Sequence, residues 1–284
     1  MKIIVGIDPG GAYKPVIRLL QRLRFEEPEV VLTSALERLS KSEELEKANA
    51  GDLKAAWAEL DSAESLFATL SAIRKDVRPG PALDVLSGLA EEEQADLIAV
   101  QTERKSAFRS FFFGGVSRGL AIGAKQSVLF SKDRTNDGGP IRAVFATDHS
   151  EYANRAADVL IGMRPRGIIA IHVVSVVCLD DYGFWALHLD PYRSVEERER
   201  RLEAEFHTRN EDLVEKFRAA GYEATHEVPV GPANESIVHA VEEHRAQLLI
   251  MGAQGHGFIE RLVIGSVSLH QVMIEPHSVL LLRA

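Results

Sequence analysis

The chain has a single cysteine, Cys178, in 284 residues, so no internal disulfide can staple it. No apolar run approaches the roughly 18 residues of a membrane-spanning helix. No N-terminal segment has the layout of a secretory leader. A basic excess is missing too: 33 Lys and Arg stand against 42 Asp and Glu, a net charge of −9. That balance argues against general binding to nucleic acid or to an anionic membrane, both of which need a positive surface. The expected setting is the cytoplasm, with neither nucleic acid nor membrane as partner. Metal chemistry lacks its usual marks as well. All ten histidines fall in the second half, His239 and His244 are five apart rather than four, and no Cys or Glu completes a ligand set, so no metal site is expected.

What is present is the composition of an ordinary globular protein, 45% hydrophobic and 26% charged, which excludes a disordered or fibrous chain. The length suggests two domains of about 140 residues. Internal similarity supports the same division. Ile3-Ile4-Val5-Gly6-Ile7-Asp8 and Ala143-Val144-Phe145-Ala146-Thr147-Asp148 are both apolar strands that end in aspartate. Further on, Gly80-Pro81-Ala82 matches Gly231-Pro232-Ala233, Ala95-Asp96-Leu97-Ile98 matches Ala246-Gln247-Leu248-Leu249, and Gly114 matches Gly265, all at an offset of 151. A constant offset with a whole-domain period indicates a duplication rather than a solenoid. The polar, breaker-rich stretch Asp133 to Pro140 reads as a linker with the boundary near residue 138. The expected domains are residues 1–134 and 141–284.

Each half alternates strands and helices. In the second half, strands are expected at Arg142 to Thr147, Gly167 to Val174, Ala224 to Val230, Gln247 to Met251 and Ser278 to Leu282. Helices are expected to start at Ser150, as an N-cap, at the capping box Ser194-Val195-Glu196-Glu197, at Asn234 and at Ser266, with Gly221 closing the second. First-half strands are expected near Lys2 to Ile7, Glu29 to Ser34, Leu70 to Val77, Asp96 to Gln101 and Ser127 to Ser131, although Ser71 to Lys75 equally suits an extension of the preceding helix. Such alternation calls for an α/β fold with a parallel sheet and helices on both faces.

The chemistry concentrates after the strand Gln247 to Met251. Gly252-Ala253-Gln254-Gly255 is followed, nine residues on, by Gly265-Ser266. Glycines let backbone N–H groups approach an anion, and a helix starting near Ser266 adds its positive end. No Lys-Ser or Lys-Thr follows the last glycine, so this is not a Walker A loop, and it is not the compact GxGxxG turn. A glycine-rich turn without a ligand is the plain alternative.

The spacing Gly-x2-Gly-x9-Gly-Ser after the fourth strand resembles the ATP-binding signature of the universal stress protein family, and the likeness extends over both halves. It implies two tandem open parallel five-stranded sheets in the order 3-2-1-4-5, Rossmann-like, with the ligand crevice between strands 1 and 4. It implies ATP or ADP as the ligand, with Mg²⁺ as an allowed companion. Residue by residue, the resemblance puts Asp148 at the adenine or ribose edge and Ala146 and Thr147 in the same turn. The backbone of Val173 would meet the adenine, and Met251 the sugar or base. Gly252, Gly255, His256 and Gly257 would approach the phosphates, which Gly265, Ser266 and Val267 would cap from the helix start. Plain roles coexist with these: Asp148 as a helix cap, Met251 and the Val173 side chain as core. His256 inside a phosphate loop would favour its protonated form.

The first half departs from the signature with Gln101, Arg104, Gly114 and Gly115 at the matching positions, so a second site is not expected. Arg104, Lys105 and Arg109 offer side-chain charge for another anion or are simply solvated. Phe111-Phe112-Phe113 calls for a cover. The family resemblance implies pairing through last strands, and so an internal pseudo-dimer of the halves, with a homodimer of chains as a further expectation. One nucleotide per chain, bound in the second half by a stress or regulatory protein, is the leading reading. A slow ATPase and a nucleotide-independent scaffold are the alternatives.

Overall fold

The computed structural model describes residues 1–8, 10–36, 43–67, 72–102, 115–132, 139–178, 195–254 and 264–284. In the first half, β1 (Lys2–Gly6), α1 (Lys14–Leu23), β2 (Glu29–Leu36), α2 (Glu43–Leu66), β3 (Ile73–Pro79), α3 (Ala82–Glu92), β4 (Leu97–Gln101), α4 (Gly115–Gly123) and β5 (Ser127–Ser131) follow in order. The second half runs β6 (Ile141–Ala146), α5 (Glu151–Met163), β7 (Ile168–Val174), α6 (Val195–Ala219), β8 (Glu223–Glu227), α7 (Ala233–Glu243), β9 (Leu248–Gly252), α8 (Ser266–Met273) and β10 (Ser278–Leu282).

The strands form one ten-stranded sheet, β3-β2-β1-β4-β5-β10-β9-β6-β7-β8. Each half keeps the order 3-2-1-4-5 with parallel neighbours, and the halves meet where β5 and β10 pair antiparallel, Val279 opposite Phe130 and Leu281 opposite Val128. Two separate open sheets are thus replaced by one continuous sheet. The physical reason is in the two last strands, SVLFS and SVLLL, in which every residue is buried. An apolar edge of that kind needs a partner, and each half supplies the other's.

Apolar clusters lie on both faces of the sheet. One joins Ile3, Val5 and Phe145 to Ile17 and Leu20 of α1, Leu60 of α2, Leu160 of α5 and Phe217 of α6. The other joins Ile4, Ile98 and Leu249 to Leu86 and Leu89 of α3, Leu120 of α4, Val241 of α7 and Val272 of α8. Helix ends follow their sequence signals. Ser150 caps α5 by accepting the Ala153 N–H at 3.1 Å. Gly221, at φ +96°, closes α6 as its N–H reaches Arg218 and the Tyr222 N–H reaches Phe217, whose rings then meet edge-on at 6.3 Å.

The duplication is written into unusual backbone angles. Gly80 and Gly231 have φ +130° and +146° before the prolines that open α3 and α7, and Gln94 and Arg245 have φ +50° and +49° after those helices. The third strand departs from expectation: β3 is Ile73–Pro79, in register with β2 from Val30 to Leu36, while residues 70 and 71 lie outside the described residues. Its apolar signal is faint because it is an edge strand dressed in charge. Arg74 pairs with Glu93, Lys75 with Asp61 and Glu64, and Arg78 with Asp76 and Glu92.

Polar clamps reinforce the join between halves. The Lys132 N–H bonds Ser278 Oγ at 3.0 Å and its ammonium reaches the Gln271 and Glu275 carbonyls, while Arg283 donates to the Ala121 and Ile122 carbonyls. On the other face the Gly167 N–H bonds the Leu23 carbonyl at 2.8 Å. The approach there is so close that a Cβ on Gly167 would sit 1.6 Å from the Arg22 carbonyl oxygen.

Candidate functional site

β6 and β9 are parallel neighbours, with Ala146 opposite Met251, and their chain connections leave in opposite directions across the sheet. A crevice therefore opens beyond their carboxyl ends. The chain leaves β6 through Thr147-Asp148-His149-Ser150, a turn held by its own side chains. Asp148 Oδ1 accepts the Ser150 N–H at 2.9 Å, and Thr147 Oγ1 accepts the His149 N–H at 3.0 Å. His149 takes φ +56°, which brings the chain round into α5. Asp148 is partly exposed at the crevice, whereas Ala146 and Thr147 beside it are buried.

Opposite, the end of β9 is pinned at three points. The Ala253 N–H bonds the Leu282 carbonyl at 3.0 Å, the Gly265 N–H bonds the Ala253 carbonyl at 2.8 Å, and Ser268 Oγ donates to the Gly252 carbonyl at 2.9 Å. These bonds set the start of α8 against the strand end. Gly265 is the N-cap at φ −63° and offers no side-chain acceptor, so the first N–H groups of α8, beginning with exposed Ser266 and then Val267, are not capped by it. Such a helix start is suited to an anion. Gly252 also sits close under α5: a Cβ there would lie 3.2 Å from the Tyr152 ring, a tight contact. Met251 is buried in the apolar cluster against α7 and α8, and Val173 is buried in the opposite cluster, so the side chain of Val173 belongs to the core. Gly255, His256 and Gly257 lie outside the described residues, as do the Phe111 to Phe113 run and Arg104.

Beneath the Asp148 turn is a buried polar network that the sequence does not announce. His149 Nε2 lies 2.8 Å from Asn210 Oδ1 and 3.1 Å from Ser175 Oγ, Ser175 also donates to Asn210 Oδ1 at 2.8 Å, and Asn210 Nδ2 donates to the Glu227 carbonyl at 3.1 Å. All three residues are buried. The network ties the turn to α6 and the β7 end, which fixes the direction from which Asp148 addresses the crevice. Polar residues in series after a strand were its one sequence signal; Asn210, midway along a highly charged helix, carried none.

The universal stress protein family model matches residues 1–132 and again 142–283. The chain belongs to the universal stress protein family. A universal stress protein from Archaeoglobus fulgidus has the same fold over 99% of this chain and 96% of its own, at 18% identity and a TM-score of 0.67. A structure from Pseudomonas aeruginosa described as a putative universal stress protein covers 99% of this chain and 92% of its own, at 16% identity and a TM-score of 0.61. The universal stress protein Slr1230 of Synechocystis is 45% identical over 58 residues, which span 20% of this chain and 19% of that relative.

Within this tandem universal stress protein the first half shows the matching junction without the glycine. Gln101 stands in the place of Gly252, and its Oε1 is buried with no hydrogen-bond partner among the described residues. The Thr102 N–H bonds the Ser131 carbonyl at 2.7 Å, as Ala253 does Leu282, and Ser117 meets Thr102 Oγ1 at 3.3 Å. Asp8 makes the same turn as Asp148, accepting the Gly10 N–H at 3.0 Å. Among the described residues no helix is long and apolar enough to cross a membrane.

Proposed function

We propose that the second half binds one adenine nucleotide per chain, ATP or ADP with Mg²⁺ accompanying the triphosphate, and that occupancy selects the conformation through which the protein acts in a cytoplasmic stress or regulatory response. The observation that carries this reading is the juxtaposition of a partly exposed carboxylate, Asp148, with a helix start at Gly265 that has no side-chain cap, across neighbouring strand ends. In this assignment Asp148 receives ribose hydroxyls, Ala146 and Thr147 line the turn, the Val173 backbone faces adenine and Met251 packs against the sugar. Gly252, Gly255, His256, Gly257, Gly265, Ser266 and Val267 surround the phosphates. The acidic chain suits this division of labour, because backbone N–H groups rather than lysines then neutralise the phosphates.

The test is a thermal-shift and equilibrium-dialysis panel of ATP, ADP, AMP and cyclic AMP with and without Mg²⁺. A ligand held only by the folded state raises the midpoint with concentration. The expected stoichiometry is one per chain. Absence of binding by every member of the panel, in protein stripped of co-purifying nucleotide, would leave the scaffold reading in its place.

A further inference from the structure

At the outer edge of the second half, β7 and β8 run side by side with His172 opposite Thr225 and Val174 opposite Glu227. Alternation along the strands puts His172, Thr225 and Glu227 on one face, and α7 ends over that face at His244. His172 Nε2 lies 3.7 Å and His244 Nε2 3.8 Å from Glu227 Oε2. One ligand atom from each of the three residues falls within 4.8 Å of the others. The two imidazoles are stacked, ring centroids 3.5 Å apart.

His172 is only 8% exposed, yet among the described residues its Nε2 has no hydrogen-bond partner, and neither has the buried Nε2 of His244. Leaving two such atoms unsatisfied is costly, and a cation among them converts both lone pairs into bonds. His172 Nδ1 lies 2.8 Å from Thr225 Oγ1, an outer contact of the type that fixes a metal-binding tautomer with Nδ1–H donating and Nε2 open. Burial, with His244 and His226 nearby, pushes the His172 pKa down to about 4, so the ring is neutral at pH 7 and its lone pair available. Two imidazoles and one carboxylate suit a borderline cation, whereas Mg²⁺ and Ca²⁺ prefer oxygen throughout.

We propose that His172, Glu227 and His244 form a zinc site, with Thr225 orienting His172 and a water in the fourth position. Tetrahedral zinc with bonds of about 2.0 Å sets donors about 3.3 Å apart, so the two distances to Glu227 close by a small contraction, while the His244 ring must also turn out of its stack on His172 to aim its lone pair at the same ion. His244, a third exposed and just beyond the end of α7, supplies that movement. Bound metal joins β7, the edge strand β8 and α7, fastening the rim of the sheet. The site uses none of the residues assigned to the nucleotide.

The test uses the full chain, stripped with chelator and free of nucleotide, titrated with ZnCl₂ by calorimetry and followed by thermal melting. One Zn²⁺ per chain and a rise in midpoint are expected. E227Q and H244Q should each weaken binding by at least roughly 100-fold, and T225V by roughly 10-fold, the range seen for ligand-orienting groups. Both ligand side chains are about one-third exposed, so these variants keep the fold, which circular dichroism reports separately. The double variant H207Q/H226Q controls for the neighbouring exposed pair, whose ring nitrogens are 3.2 Å apart, and should bind as the wild type does. No stoichiometric binding by the wild type, or binding that survives E227Q and H244Q but is lost in H207Q/H226Q, overturns the assignment.

Discussion

The two halves share three left-handed positions, Arg24 with Arg164, Gly80 with Gly231 and Gln94 with Arg245, but they secure the aspartate turn after the first strand in different ways. In the first half, the buried Tyr13 at the start of α1 donates to Glu59 of α2 at 2.8 Å, and α1 has no side-chain cap. In the second, Ser150 caps α5 and the buried His149, Ser175 and Asn210 bind the turn to α6. The turn itself is common to both, Asp8 with Gly10 and Asp148 with Ser150. An aspartate at this junction is therefore a structural feature of the fold. What separates the halves is what lies across from it: Gly252 under Tyr152 with an N-capping Gly265 on one side, Gln101 with a buried oxygen that is unpaired among the described residues on the other. Duplication kept the scaffold and let the loop chemistry diverge.

The contrast can be broken most severely at the join. Gly167→Ala would drive a methyl into the Arg22 carbonyl, and urea unfolding should show a loss of about 3 kcal/mol or more, because backbone rather than a flexible side chain must yield. Next come the two turn anchors. Asn210→Leu leaves His149, Ser175 and the Glu227 carbonyl short of a partner and should lower stability by about 2–3 kcal/mol. Tyr13→Phe removes one hydrogen bond in the first half and should cost about 1 kcal/mol in the same assay. Equal losses would erase the proposed difference between the anchors.

Ligand binding sharpens the comparison further. Asp148→Asn keeps an oxygen for the Ser150 N–H but removes the charge, and should weaken adenine nucleotide binding about 10-fold, or about 1.4 kcal/mol, in equilibrium dialysis. Asp8→Asn should leave it unchanged. A loss as small as that of Tyr13→Phe is expected from Ser150→Ala, about 1 kcal/mol of stability through the lost cap, with no counterpart available in α1.

Local signals were legible in the sequence, and long-range ones were not. The last strands of both halves, Ser127–Ser131 and Ser278–Leu282, are where their apolar runs indicate, and Ser150 opens α5 and Gly221 closes α6 through neighbours in sequence. β3 was blurred because its side chains satisfy themselves with charges from α2 and α3 rather than with a core. At the crevice, the glycines of the loop were visible, but the ring that crowds Gly252 is delivered by α5 and has no sequence signal there. The histidine cluster escaped notice for the same cause. His172, Glu227 and His244 come from a strand, another strand and a helix end, so no spacing links them.

The antiparallel pairing of β5 with β10 has a consequence for how the protein behaves on dilution. Association of the halves is intramolecular, so its effective concentration is set by the connecting chain rather than by the amount of protein in the cell. A single-domain relative that pairs through the same strand would separate as its concentration falls. This chain carries its partner with it, and the two junctions, free to differ in sequence, stay in fixed company at any expression level.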